Sequence, residues 1–140
     1  MGYSGSSYMD VPMNQKIFMA QYECIKKLAE QESCIIVGRC ADYALKDMPG
    51  LVSVFISADM DFKIKRVIEM YGCDEVKAKD IINKTNKKRA SYYNFYSNKK
   101  WADSRSYNLC INSSVVGIEN AADLIIPVSY THLRAHETKA

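Results

Sequence analysis

Glycine is scarce in this 140-residue chain and proline scarcer, and neither is clustered. The six glycines, Gly2, Gly5, Gly38, Gly50, Gly72 and Gly117, are scattered, and none belongs to a G-x-x-x-x-G-K-[ST] turn able to cradle phosphates with backbone N–H groups. Long apolar runs are missing too. No stretch of eighteen apolar residues and no signal-peptide core occurs, which excludes a helical membrane span and export and leaves the cytoplasm as the expected compartment. The five cysteines, Cys24, Cys34, Cys40, Cys73 and Cys110, are odd in number, widely spaced and free of any C-x-x-C pair. That pattern excludes a disulfide framework or zinc site and reads as small buried hydrophobes in a reducing environment. Charge is nearly balanced, 19 basic against 16 acidic residues, so bulk charge does not call for nucleic acid. The two histidines, His132 and His136, both fall in the last nine residues, and no metal ligands are expected.

What the chain does have is 48% hydrophobic residues, enough for the core of one domain. Met13 to Gln31 places Phe18, Tyr22, Ile25, Leu28 and Ala29 at helical steps, behind a polar, Gly/Ser-rich lead over residues 1–12. Cys34-Ile35-Ile36-Val37 then forms a continuous β-rich run ended by Gly38, the pattern of a parallel strand covered on both faces. Arg39 follows at the carboxyl end of that strand, where open α/β sheets place their ligand crevice. Its planar fork of donors suits an anion. A short helix over Ala41 to Lys46 precedes the Pro49-Gly50 break. Leu51 to Ala58 reads as a second strand. The helix after it is capped by Asp59 or Asp61, carries Ile64, Val67, Ile68 and Tyr71 on one stripe, and closes at Gly72. Asp74 and Glu75 open a longer helix towards Tyr96. Its second half is unusual: Lys84 to Trp101, KTNKKRASYYNFYSNKKW, interleaves six cations with five aromatics and holds no acid. Tyr107 to Asn112 is a third strand, followed by a helix from Ile118 to Ile125. Strands alternating with helices imply a parallel sheet in an α/β layered domain.

The segments SCIIVGRCADYALKD, FISADMDFKIKRVIEMYG, KTNKKRASYYNFYSNKKW and YNLCINSSVVGIENAADLI, in that order, resemble the cytidylate kinase-like family of P-loop nucleoside-monophosphate kinases over about Met13 to Ile126. The resemblance implies a P-loop NTPase-type, three-layer α/β/α domain that transfers the ATP γ-phosphate to a nucleoside monophosphate, CMP or dCMP. It implies that Arg39 clamps the acceptor phosphate and that Arg66 and Arg89 approach the phosphates on closure of a lid around residues 84–105. Lys88 is a further substrate-binding candidate beside them, approaching the phosphates, and Asp42 contacts the base or orients Arg39.

The chain also departs from the family. Gly38-Arg39-Cys40 stands where cytidylate kinases proper have Gly-Arg-Asp, and Asn86 where relatives have an aspartate. The P-loop strand is missing, so residues 13–126 are expected to form a partial domain, truncated at the N-terminal side and inactive alone. ATP and magnesium are assigned to the full-length parent and are not expected to bind well here. Pro127 to Ala140 breaks from the preceding pattern and resembles translated adapter sequence, a tail foreign to the domain. A competing reading is a non-catalytic nucleic-acid-binding module that uses residues 84–101, with cations on the backbone and tyrosines stacking on bases. The modest net charge makes that partner the less expected one, and no membrane partner is expected.

Overall fold

A computed structural model of the chain describes the backbone of Ser7–Glu137 and the side chains of residues 13–132. Two units divide it, Met1–Met48 and Pro49–Ala140. The polar lead over residues 1–6 and the side chain of His136 lie outside the described residues.

The first unit contains helix α1 (Ser7–Gln31) and the one-turn helix α2 (Ala41–Ala44). α1 begins six residues before the expected Met13, its N-terminal turns running through the supposedly loop-like lead. Phe18 and Ile25 are buried, together with Ala41, Ala44 and Leu45, and the Tyr22 and Tyr43 rings lie 6.3 Å apart where α2 packs on α1. Leu28, expected on the buried stripe, is exposed. Between the helices, Cys34–Val37 forms no strand. The reason is physical: a strand is defined by a hydrogen-bonded neighbour, and the other described elements of this unit are helices, which bond internally. Its Ile35 and Val37 side chains are 96% and 89% exposed.

The second unit holds the sheet. β1 (Val54–Ser57) and β2 (Leu109–Asn112) pair in parallel, Val54 opposite Leu109 and Ile56 opposite Ile111. Each is shorter than the apolar run that announced it, and among the described residues the sheet has two strands where three were expected. The fold is mixed α/β and mostly helical. Ser53 and Asn108 lock the start of the ladder: Asn108 Oδ1 accepts from the Ser53 N–H at 2.9 Å, and the Asn108 N–H donates to the Ser53 carbonyl at 2.9 Å.

Helix α3 (Met60–Tyr71) ends as its sequence dictates. Gly72 adopts φ +63° and its N–H returns to the Ile68 carbonyl at 2.8 Å, the left-handed stop that glycine adopts without strain. Helix α4 (Glu75–Ser97) starts at Asp74, whose Oδ1 accepts from the Lys77 N–H at 2.7 Å. The α3–α4 hairpin closes on Ile64, Ala78 and Ile82, with Val67, Ile68 and Cys73 packed around them. Tyr71 is exposed and not on this stripe. Burying an isoleucine side chain contributes about 2 kcal/mol, so Ile64 and Ile82 are the main anchors of the hairpin.

A 3₁₀ turn (Ser104–Ser106) and the one-turn helix α5 (Ser113–Val116) flank β2, and helix α6 (Ile118–Glu137) follows. α6 runs past the expected end at Ile125 and through Pro127, which has no N–H to return to the Asp123 carbonyl. Two hydroxyls bond back to carbonyls just beyond it. Ser129 Oγ donates to the Ile126 carbonyl at 2.6 Å and Thr131 Oγ1 to the Pro127 carbonyl at 2.9 Å. The cysteines depart from expectation as well: Cys40 is buried and Cys73 half-buried, but Cys24, Cys34 and Cys110 are exposed. Cys34 lies in the segment that forms no strand and Cys110 in β2, and both are exposed, so apolar surroundings in sequence did not become burial.

Candidate functional site

In the first unit the turn between Val37 and α2 carries the conformational strain. Gly38, Arg39 and Cys40 are successive left-handed residues at φ +72°, +56° and +52°. Only the first is a glycine. A side chain in this region costs about 1–2 kcal/mol, because Cβ crowds the following carbonyl. Space is not what selects glycine here, since a Cβ at Gly38 would meet nothing within 4 Å. The strain turns consecutive side chains in different directions. Arg39 is exposed, while Cys40 is 4% exposed and stands at the N-cap of α2 without capping it. Burial, and secondarily the Asp42 carboxylate, push the Cys40 thiol up to about 11. It is therefore a neutral, unreactive group near neutral pH. Asp42 lies in the first turn of α2, half-buried, and its Oδ1 accepts from the Tyr43 N–H at 2.9 Å.

In the second unit Arg66 is exposed on α3, its guanidinium carbon 6.0 Å from the Phe62 ring centre, within cation–π range. Lys88 and Arg89 are exposed on α4 beside Lys87. Lys84 differs from them, being paired with Asp80 at 2.9 Å one turn earlier. The aromatics of this stretch divide by role. Tyr92 and Tyr96 pair along one face at 4.9 Å, as their spacing requires, and Phe95 is 73% exposed beside Tyr96. Tyr93 and Trp101 pack inward: Tyr93 stacks on Tyr107 at 5.7 Å, and Trp101 meets Phe55 of β1 edge-on at 5.2 Å. Five interleaved aromatics were legible in sequence, yet these two hold α4 and its exit to the sheet. The backbone there is fixed by the Trp101 main-chain N–H, which donates to Asn94 Oδ1 at 2.7 Å across the end of α4.

Two features of this unit escaped sequence reasoning. At the carboxyl ends of β1 and β2, the position where parallel sheets present ligand sites, a polar network joins the strands. Asn112 Nδ2 donates to Asp59 Oδ1 at 2.9 Å, the Asp59 N–H donates to Ser114 Oγ at 2.9 Å, and Asn112 Oδ1 accepts from the Ser114 N–H and hydroxyl. Ser113 Oγ adds a bond to the Ser57 carbonyl at 2.9 Å. Asp59 thus stands at the N-cap of α3 but spends its carboxylate on β2 instead of capping. The Asn-Ser-Ser run after an apolar strand was the available signal. The second feature is Arg105, which grips Asp103 with both arms of its fork, Nε to Oδ1 at 3.0 Å and a terminal nitrogen to Oδ2 at 2.7 Å. The Arg105 side chain and then its backbone N–H hold the Asp103 carboxyl well below the usual range. A Asp-x-Arg spacing at the start of a 3₁₀ turn is its only sequence trace.

The described residues hold no group of three His, Cys, Asp or Glu side chains able to take a metal ion, and none of their helices is long and apolar enough to cross a membrane. The sequence also lacks a glycine-rich phosphate turn of the G-x-x-x-x-G-K-[ST] type. Among known proteins, the Cytidylate kinase-like family matches residues 1–115. The chain is also similar to an uncharacterized protein from Eubacterium ventriosum of known crystal structure, at 44% identity and a TM-score of 0.81. That likeness covers 84% of this chain and 66% of the other, so this chain spans just under two thirds of its solved relative. No curated protein matches it.

Proposed function

This chain belongs to the cytidylate kinase-like family, and from that premise we propose that it carries the acceptor side of an enzyme transferring the ATP γ-phosphate to a nucleoside monophosphate, CMP or dCMP. Such transfer asks little covalent chemistry of a protein. It asks for two polyanions to be aligned, their charge neutralised and water excluded. In this reading Arg39 clamps the acceptor phosphate, Asp42 steadies the turn that presents it, and Arg66 and Arg89, helped by Lys88, approach the transferring group. Residues 84–105 act as the lid. Residues 127–140, beyond the matched stretch, take no part. The donor side, with ATP, magnesium and the strand that completes a three-layer α/β/α sheet, comes from the full-length parent, and the isolated chain turns over no substrate.

One observation supports this most: Lys87, Lys88 and Arg89 stand exposed on a helix whose sequence from Ile81 to Ala102 contains no acid. Unneutralised cations presented together are what a phosphate binder requires. The test is calorimetric titration of the intact chain with CMP. Arg39→Lys replaces a fork by a point charge and is expected to weaken binding about tenfold. Unchanged affinity removes Arg39 from the site. Salt-sensitive binding of a single-stranded oligonucleotide with no binding of CMP overturns the kinase reading in favour of a nucleic-acid module.

A further inference from the structure

Where α4 gives way to β2, one arginine is both exposed and held still. The Arg105 side chain is 88% exposed, yet its Nε donates to Asp103 Oδ1 at 3.0 Å and one terminal nitrogen donates to Asp103 Oδ2 at 2.7 Å. Asp103 is itself tied down. Its side chain is 16% exposed, its Oδ1 also accepts from the Arg105 backbone N–H at 2.9 Å, and its carbonyl accepts from the Ser106 N–H at 2.9 Å. The Arg105 side chain, then its backbone N–H and, more weakly, the Lys100 charge keep this carboxyl ionised far below neutral pH, so the grip is constant across ordinary pH. The segment that carries the pair is braced as well: Ser106 Oγ donates to the Lys100 carbonyl at 2.9 Å, and the Trp101 main-chain N–H to Asn94 Oδ1 at 2.7 Å. Ala102 sits at φ +66°, a left-handed conformation that alanine adopts only under constraint.

An exposed arginine ordinarily samples many rotamers, and ordering it opposes binding. Here the Asp103 carboxylate orders it before any ligand arrives. Among the described residues nothing bonds its other terminal nitrogen, which leaves the outer edge of the fork open. Charge decides what fits there. From Ile81 to Arg105 the sequence has seven cations and one acid, Asp103 itself. That surplus around an open fork suits an anion with several charges and with oxygens spaced for two N–H donors, which is a phosphate chain. We propose that Arg105, preset by Asp103, is a ligand for a phosphate chain at the exit of α4. Arg105 is the binding residue and Asp103 the positioning residue. The inference rests on the proposed function only for naming a nucleotide as the bearer of that chain; its support is the pair itself.

Calorimetric titration of the intact chain with inorganic pyrophosphate at low salt is the test. Arg105→Lys keeps the charge, loses the fork, and is expected to weaken binding about tenfold. Asp103→Asn separates orientation from charge, because it removes a negative charge while keeping an acceptor for the Arg105 backbone N–H. Orientation predicts that this variant binds pyrophosphate about threefold to tenfold more weakly, whereas charge alone predicts tighter binding. Lys16→Gln, which removes an exposed cation on α1, leaves the affinity unchanged. An independent readout is the Arg105 Nε–H resonance, which pairing with Asp103 protects from solvent exchange and which loses that protection in Asp103→Asn. Tighter binding by Asp103→Asn, an affinity that Arg105→Lys leaves unchanged, or no binding of pyrophosphate overturns the proposal. Pyrophosphate binding that follows these variants in a chain that ignores CMP upholds the phosphate ligand and removes the nucleotide, so this inference and the proposed function fail separately.

Discussion

Arg39 and Cys40 are neighbours in the same strained turn with opposite fates, one in water and one in the interior. The buried thiol is the part whose behaviour follows from chemistry alone. Its proton is held up to about 11 against an ordinary value of 9.0, so as pH rises the unfolded chain releases that proton first. The stabilising contribution is full below pH 9 and is lost as pH climbs from about 9 to about 11. Urea midpoints at pH 8 and at pH 10.5 should therefore differ more in the parent chain than in Cys40→Ala. An equal drop in both contradicts burial of this thiol. The same residue separates the chain from the Gly-Arg-Asp pattern of cytidylate kinases proper. With its side chain inside the first unit, position 40 offers no carboxylate to a ligand.

At the scale of elements, α3 and α4 were legible in sequence and Cys34–Val37 was not, for one reason. A helix writes its own signals locally: a cap at Asp74, an apolar stripe through Ile64 and Ile82, a stop at Gly72. A strand depends on what lies beside it. The run Cys34–Val37 has every compositional mark of a buried strand, yet it forms none and leaves Ile35 and Val37 exposed. The division of the tyrosines was equally hidden, since helical spacing put Tyr93 on the row of exposed Arg89, while packing turned its ring inward onto Tyr107. Likewise Asn112, Ser114 and Asp59 meet because two strands pair, a contact across more than fifty residues that spacing does not reveal. The cap of α4 gives a direct check. Asp74→Ala leaves the Lys77 N–H without its acceptor and should lower stability by about 1 kcal/mol, read from urea unfolding. No change would mean that the cap does not set the start of this helix.

For the molecule as a whole, the absence of any fully buried large side chain among the described residues bears on the incomplete sheet. Apolar surface left in water contributes nothing to folding, at about 25 cal/mol for each Å² not buried. Exposed Ile35, Val37 and Ile56 accordingly mark where stabilisation is forgone. The functional proposal turns on binding of the acceptor, which calorimetric titration of the intact chain with CMP measures most directly. The account predicts CMP binding that Arg39→Lys weakens about tenfold. No binding of CMP, or an affinity that Arg39→Lys leaves unchanged, contradicts it.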